Sequence, residues 1–261
     1  LGHQVLKIHI CKPNFVLSIK EKVEVLKPDF VLFSKVDTDE TLHVINYLKA
    51  KQILTVCWLW DLYGIPGRYT LPPVFQCDKV FTSDGDLSKF ENITDYSVLR
   101  QGIHSPESYL LKNNYKYDVA FIGSLIEYRN LGRDSSSHET SPAFLQRHRL
   151  ISFLSSTYGG RFITRGEAKS QVRGNDLNVL LSKVKIVVGD SYESDNYWSN
   201  RIYEITGRGG FLFHPETIGL NEEFISGTHY VAYKRNDFVK LEQKIGYYLS
   251  HDSEREQIKL S

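Results

Sequence analysis

Two rhythms of apolar and polar positions run along this chain: short β-branched or aromatic runs without alternation, and longer stretches whose apolar residues recur three and four apart. In the front half the two take turns. Val5 to Ile10 reads as a strand, Phe15 to Leu26 as a helix, Phe30 to Ser34 as a strand, and Glu40 to Lys51 as a helix with Leu42, Ile45 and Leu48 on one face. Ile53 to Trp60 follows as a strand, then a Gly- and Pro-rich loop, then the short strand Lys79 to Thr82. The segment Pro106 to Tyr117 is polar and shows neither period, which marks it as the linker between a front domain, 1–110, and a rear domain, 111–261.

The rear half resumes the alternation. Tyr117 to Ser124, built on DVAFIG, reads as a buried strand, Arg129 to Ser141 as a polar loop, Phe144 to Ser155 as a helix, Phe162 to Thr164 as a strand and Leu177 to Ser182 as a helix. Lys185 to Gly189 carries the unbroken apolar run Ile186-Val187-Val188, as suits a parallel strand covered on both faces. A polar, aromatic-bearing loop, Asp190 to Asn200, opens the short helix Arg201 to Thr206. Gly207, Gly209 and Gly210 end that helix before Phe211-Leu212-Phe213 returns as a strand. The whole pattern predicts an α/β protein: two Rossmann-like lobes of right-handed parallel βαβ units with a cleft between them.

Composition narrows this picture without redirecting it. A chain of 261 residues with 41% hydrophobic content can fill two such cores. Its net charge of +1 implies no broad polyanion-binding surface, and no apolar run reaches the roughly 20 residues of a membrane span. Cys11, Cys57 and Cys77 are odd in number and lie in or beside apolar runs, so they read as reduced core residues of a cytoplasmic protein. The sequence begins at Leu1 and holds no methionine. The expectation is that a first strand and its glycine-bearing turn precede Leu1-Gly2-His3.

Candidate chemistry stands where strands end. Arg201 and Glu204 sit three apart on one face of their helix, where an arginine suits a phosphate and a carboxylate suits a ribose diol. The same pair also fits a surface ion pair, with Gly209-Gly210 as an ordinary helix stop. Gly123-Ser124 ends a strand with little side chain, so a ligand can approach the backbone, and Arg129 follows within reach of a diphosphate or as a solvated loop arginine. In the front half, Trp60-Asp61-Leu62-Tyr63 places a carboxylate and aromatic rings at the end of an apolar strand, the edge at which open α/β sheets bind ligands. Asp61 as a turn former and Trp58 and Trp60 as core are the alternatives. His104 lies near the junction of the lobes, as a substrate contact or a satisfied loop histidine. Two D-x-D patterns, Asp37-Thr38-Asp39 and Asp84-Gly85-Asp86, read as caps rather than metal sites, and no histidine spacing suggests zinc, so no metal and no cofactor is expected.

The stretch Lys185 to Glu223, with Asp190, Asp195, Arg201, Glu204, the Gly209-Gly210 pair and the acidic turn Gly219 to Phe224, resembles the donor-binding half of GT-B glycosyltransferases. It is most similar to the CgeB-type group, and similar in the same place to the phage β-glucosyltransferases that modify DNA. The tail, Asp237 to Ile258, resembles the closing helices of that group. The resemblance implies a sugar nucleotide bound in the cleft. Glu204 would meet the ribose and Arg201 and Arg129 the diphosphate, with Gly123, Ser124, Asn200, Gly209 and Gly210 around it. Asp190 and Asp195 would stand near the sugar or the loop that covers it. Asp61 would be the general base of an inverting transfer, with Trp60, Tyr63 and His104 on the acceptor side. Retention, a sugar-nucleotide epimerase or hydrolase of the same fold, and a nucleotide-binding module without turnover are the rival expectations, and the acceptor is open among glycan, protein, small molecule and DNA.

Overall fold

A computed structural model of the chain describes residues 15–34, 39–61, 76–86, 88, 95–124, 142–166 and 172–261. The chain divides into two compact units, Leu1–Arg100 and Gln101–Ser261. The front unit holds α1 (Phe15–Leu26), β1 (Phe30–Ser34), α2 (Asp39–Ala50), β2 (Leu54–Leu59), β3 (Lys79–Thr82) and β4 (Tyr96–Val98). Its strands run parallel in the order β1-β2-β3-β4. Thr41, Val44, Ile45 and Leu48 form the buried stripe of α2, the i, i+3, i+4, i+7 face of a helix that covers a sheet. Leu42 lies at the margin of that stripe, half-buried. These residues close over Phe33, Cys57, Leu59 and Val80, with Ile19 and Val23 of α1 beside them. The expected strand Val5 to Ile10 lies outside the described residues. The strand β4 gives no sequence signal, because it has only three residues and none of them is buried.

The rear unit holds β5 (Tyr117–Ile122), α3 (Pro142–Tyr158), β6 (Phe162–Arg165), α4 (Gly174–Leu181), β7 (Val184–Val188), α5 (Arg201–Thr206), β8 (Leu212–Pro215), β9 (Val231–Tyr233), α6 (Phe238–Ser250) and α7 (Asp252–Leu260). Its strands are parallel in the order β6-β5-β7-β8-β9. Both faces of this sheet are covered. Leu150, Ile151 and Leu154 of α3, with Leu241 and Ile245 of α6 and Ile258 of α7, pack on the face that carries Phe121, Ile186, Val188 and Phe213. Leu177, Leu180 and Leu181 of α4 and Ile202 and Ile205 of α5 pack on the other, against Ala120, Ile122, Val187 and Leu212. That is why β5 and β7 read as mainly apolar runs, with Asp118 and Lys185 paired to each other at 3.1 Å. From β5 the chain first goes to β6 on one side, then returns to place β7 on the other. The carboxyl ends of β5 and β7 therefore flank a topological switch point, where sheets of this kind open a crevice for ligands.

Residues 101–110, which sequence pattern alone gives to the front domain, belong with the rear unit. The reason is a buried arginine. Arg208, 5% exposed, donates from Nη1 to the Glu107 carbonyl at 2.7 Å and to Asn178 Oδ1 at 2.9 Å, and Asn178 Nδ2 donates to the same carbonyl at 2.7 Å. Further on, Tyr115 OH donates to Glu256, and the backbone N–H groups of Asn114 and Lys116 donate to the Ser182 and Lys183 carbonyls. A segment without periodicity is thus strapped down by hydrogen bonds and by isolated contacts such as Leu110 over Gly209, not by a periodic apolar face.

The core on the α3 face gives a direct check. Leu154 is fully buried, so Leu154→Ala should cost about 2–5 kcal/mol, while Leu145→Ala, at a position 42% exposed on the same helix, should stay within about 0.5 kcal/mol. Urea denaturation midpoints of the two variants measure the contrast.

Candidate functional site

Four strand ends converge beside the switch point. β5 runs out into Gly123 and Ser124, β7 into Gly189, Asp190 and Ser191, β8 into His214 and Pro215, and β9 into Lys234 and Arg235. Asp190 is the centre of the cluster, 9% exposed. Its Oδ2 accepts a hydrogen bond from Arg147 Nε at 2.5 Å, and its Oδ1 lies 3.6 Å from Arg201 Nη1. Each arginine also grips the end of β5: Arg147 Nη1 donates to the Ser124 carbonyl at 3.1 Å, and Arg201 Nε donates to the Ile122 carbonyl. Arg201 Nη1 is further held by Ser199 Oγ at 2.7 Å. Gly123 is what lets this happen, since a Cβ there would collide with the Arg201 guanidinium.

Burial by itself raises the pKa of the Asp190 carboxyl, but the charges of Arg147 and Arg201 and the hydrogen bond from Arg147 outweigh it and hold the carboxyl below the ordinary range. The neighbouring His214 behaves oppositely. Burial pushes its imidazole down to about 4, against the raising effect of the Pro215 carbonyl, 2.9 Å from Nδ1. At neutral pH this ring is uncharged, with Nδ1–H donating to that carbonyl and Nε2 buried without a hydrogen-bond partner among the described residues. Tyr233 closes the floor, its OH donating to the Gly189 carbonyl at 2.8 Å.

The structure brings together Gly123, Ser124, Asp190 and Arg201 of the residues singled out in the sequence. Glu204 lies one helical turn away, partly exposed, with an oxygen 3.7 Å from Arg208 Nε, so the two members of the R-x-x-E pair face different partners. Asp195 and Asn200 are exposed at the rim of the loop. That loop is pinned by buried Trp198, whose Nε1 donates to Tyr203 OH at 2.9 Å, and Tyr203 OH donates to Glu223 at 3.0 Å. Gly209 and Gly210 sit at the far end of α5, at the amino end of β8. Gly209 has φ +69, and the space a Cβ would need at either glycine is taken by Leu110 or by Ile205. They stop the helix and receive the strap of the 101–110 segment. His104 is exposed, with Nδ1 3.5 Å from Glu107. Arg129 and Tyr63 lie outside the described residues.

In the front unit, Trp60 and Asp61 follow β2 and are half-buried, and the Trp58 and Trp60 rings stand 5.6 Å apart. The register that pairs Leu59 with Thr82 sets the carboxyl ends of β2 and β3 side by side, so Asp61 and the fully buried Asp84 emerge from neighbouring strand ends. Asp84 accepts from the Asp86 N–H at 3.0 Å, a turn that follows β3. Among the described residues no group of three or more His, Cys, Asp or Glu stands together as a metal site. Arg147, Ser191, Ser199 and His214 carry no signal in the sequence. Arg147 in particular reads as one more polar position on a helix, 43 residues before its partner.

Residues 111–261 match the family described as glycosyl transferase-like, a span that contains the entire Asp190 cluster. This chain belongs to the glycosyl transferase-like family. Solved structures of the same fold include the Anabaena protein HepE in complex with UDP-glucose, at 12% identity and a TM-score of 0.62 over 94% of this chain and 75% of that one. Sucrose-phosphate synthase from Thermosynechococcus elongatus aligns with a TM-score of 0.60 at 13% identity, over 94% of this chain and 70% of that one. The UDP-GlcNAc 2-epimerase of Neisseria meningitidis aligns with a TM-score of 0.53 at 13% identity, over 96% of this chain and 78% of that one. No curated protein matches the sequence. The α/β fold with two parallel sheets is that of the GT-B glycosyltransferases. No helix among the described residues of this glycosyl transferase-like chain is long and apolar enough to cross a membrane.

His214 makes the site pH-dependent in a defined direction. Its pKa is about 4 when folded, against roughly 6.5 when unfolded, so between those values the unfolded chain binds a proton that the folded chain does not. Stability therefore falls as pH falls through that window, by about 3 kcal/mol for this group, and His214→Phe should flatten the fall. Urea titrations of both proteins at pH 7 and pH 4.5 test this.

Proposed function

We propose that this chain transfers a glycosyl group from a nucleoside diphosphate sugar to an acceptor hydroxyl, without a metal ion and with inversion at the anomeric carbon. The observation that carries the reading is the Asp190 cluster: two guanidinium groups fixed at a switch-point crevice, inside the segment that matches the family. HepE, a protein of the same fold, has been solved with UDP-glucose, which supports a sugar nucleotide as the donor here. Within the family, the reading follows the likeness to the CgeB-type group and to the phage β-glucosyltransferases.

In the reaction the acceptor oxygen forms a bond to the anomeric carbon as the bond from that carbon to the diphosphate oxygen breaks. The leaving electron pair stays on the diphosphate. Arg201, with Arg129 earlier in the chain, neutralises the charge that develops there, the work a divalent cation would otherwise do. Gly123 and Ser124 admit the phosphates to the backbone, and Glu204 takes the ribose diol. Asp61 receives the acceptor's proton. The acceptor is a glycan, a protein, a small metabolite or DNA, and the place of action is the cytoplasm. A second reading, a sugar-nucleotide epimerase, is favoured by the likeness to the Neisseria enzyme. It predicts a changed sugar nucleotide in the absence of any acceptor.

Thermal unfolding with UDP, GDP, ADP, CDP and TDP, with and without magnesium, is the first test. One nucleotide should raise the unfolding temperature independently of metal, and Arg201→Ala should abolish the rise. If none stabilises a folded chain, the transferase reading fails. With a donor in hand, Asp61→Asn should bind it normally and lower turnover by about 100-fold or more. Unchanged turnover would remove Asp61 from the mechanism.

A further inference from the structure

Beside the Arg147–Asp190 pair, a shallow recess opens between the start of α3, the carboxyl ends of β7, β8 and β9, and the first turn of α6. Gln146, Ser191, Tyr233, Asn236 and Phe238 line it together with that pair. Its floor has room for a single water-sized group. Ser191 is 8% exposed, and its Oγ has no hydrogen-bond partner among the described residues. Asp190 Oδ1 likewise receives no hydrogen bond, only the 3.6 Å charge contact with Arg201. Folded chains keep buried hydroxyls satisfied, so an orphan on a residue that borders an open recess points to a partner from outside the chain.

The remaining lining narrows the chemistry. Tyr233 spends its OH on Gly189 and Phe238 stacks on Phe153 at 4.9 Å, so both contribute apolar ring surface. Gln146 and Asn236 offer neutral amides, and Asn236 is set in place by a left-handed backbone, φ 63. Neutral amides, a hydroxyl, a carboxylate oxygen and aromatic carbon suit the mixed polar and apolar surface of a sugar ring. Arg147 and Asp190 belong both to this recess and to the cluster at the switch point, so a ring carried on a diphosphate held there lies within reach.

We propose that the recess receives one hydroxyl of the transferred sugar, hydrogen-bonded to Ser191 Oγ, and that Ser191 is thereby a specificity-determining residue for the donor. The proposal rests on the transferase reading and adds to it which sugars qualify: those that present a hydroxyl at this point. Loss of that hydroxyl leaves Ser191 Oγ buried and unpaired, which is how a polar site rejects a deoxy analogue.

The test is calorimetric titration of the wild type and Ser191→Ala with UDP, UDP-glucose and the monodeoxyglucose analogues of UDP-glucose, repeated with the GDP-mannose and ADP-glucose series. Alongside it, saturation-transfer NMR is run with free glucose and mannose. In the wild type one deoxy analogue should bind about 3- to 10-fold more weakly than its parent. Ser191→Ala should lose the same factor for the parent while leaving that analogue and the nucleoside diphosphate unchanged. A variant that changes nothing, or that weakens diphosphate and sugar nucleotide alike, overturns the proposal. If no nucleotide binds folded wild type, it is the transferase reading that fails. The recess then stands only if saturation transfer to a free monosaccharide is seen in the wild type and lost in Ser191→Ala, and absence of that transfer overturns it as well.

Discussion

A carboxylate buried between two arginines organises the rear unit. Asp190 leaves the end of β7 and is met by Arg147 from α3, on one face of the sheet, and by Arg201 from α5, on the other. Both guanidiniums then reach across to carbonyls at the end of β5. A charge taken out of water to this depth is tolerable only when it is paired and hydrogen-bonded, and removing one member of such a pair is far more costly than the pair is worth. The cluster therefore ties both helical layers to the β5–β7 switch point and fixes the edge at which a ligand would enter.

The surrounding structure serves that edge by different means on its two sides. On the α3 face, aromatic packing dominates: Phe211, Phe213 and Tyr248 meet in tilted and edge-on contacts beneath α6. On the α5 face buried Trp198 helps hold the polar loop after β7, through a short relay by way of Tyr203 to Glu223. At the opposite edge, buried Arg208 and the glycines after α5 secure the 101–110 segment, so the same short helix serves the site at one end and the strap at the other. The C-terminal helix adds a second tie, with Glu256 and Lys259 bonded to Asn113 and Tyr115.

Much of this was legible beforehand, for reasons that differ by residue. β5 and β7 announce themselves because strands covered on both faces carry apolar side chains along most of their length, with Asp118 and Lys185 tolerated as an ion pair, and α5 because Gly207, Gly209 and Gly210 end it. Gly123 and Arg201 stood out separately, one as a bare strand end and the other as a basic residue opening a helix. That they touch was not visible, since 78 positions separate Arg201 from its carbonyl partner's neighbour Gly123 and no local rule links them. Arg147 was missed because a polar residue on a helix is the ordinary case. The strands β4 and β9 were missed because each is only three residues long and borrows its hydrogen bonds from a neighbouring strand. The front boundary moved because hydrogen bonds to Glu107 and contacts to Leu110 have no periodicity to read.

The order of residues alone carries the class of fold and the places where strands end, because burial on one or two faces writes its period directly into the apolar positions. It also supplied the likeness that named the family. Which polar residues share a site is settled by packing in three dimensions. Long-range partners such as Arg147 and Asp190, or Ser191 and the recess it lines, are chosen by strand order and by the helix crossings over the sheet. Those are set by the packing of the whole unit, and no stretch of neighbouring residues encodes them.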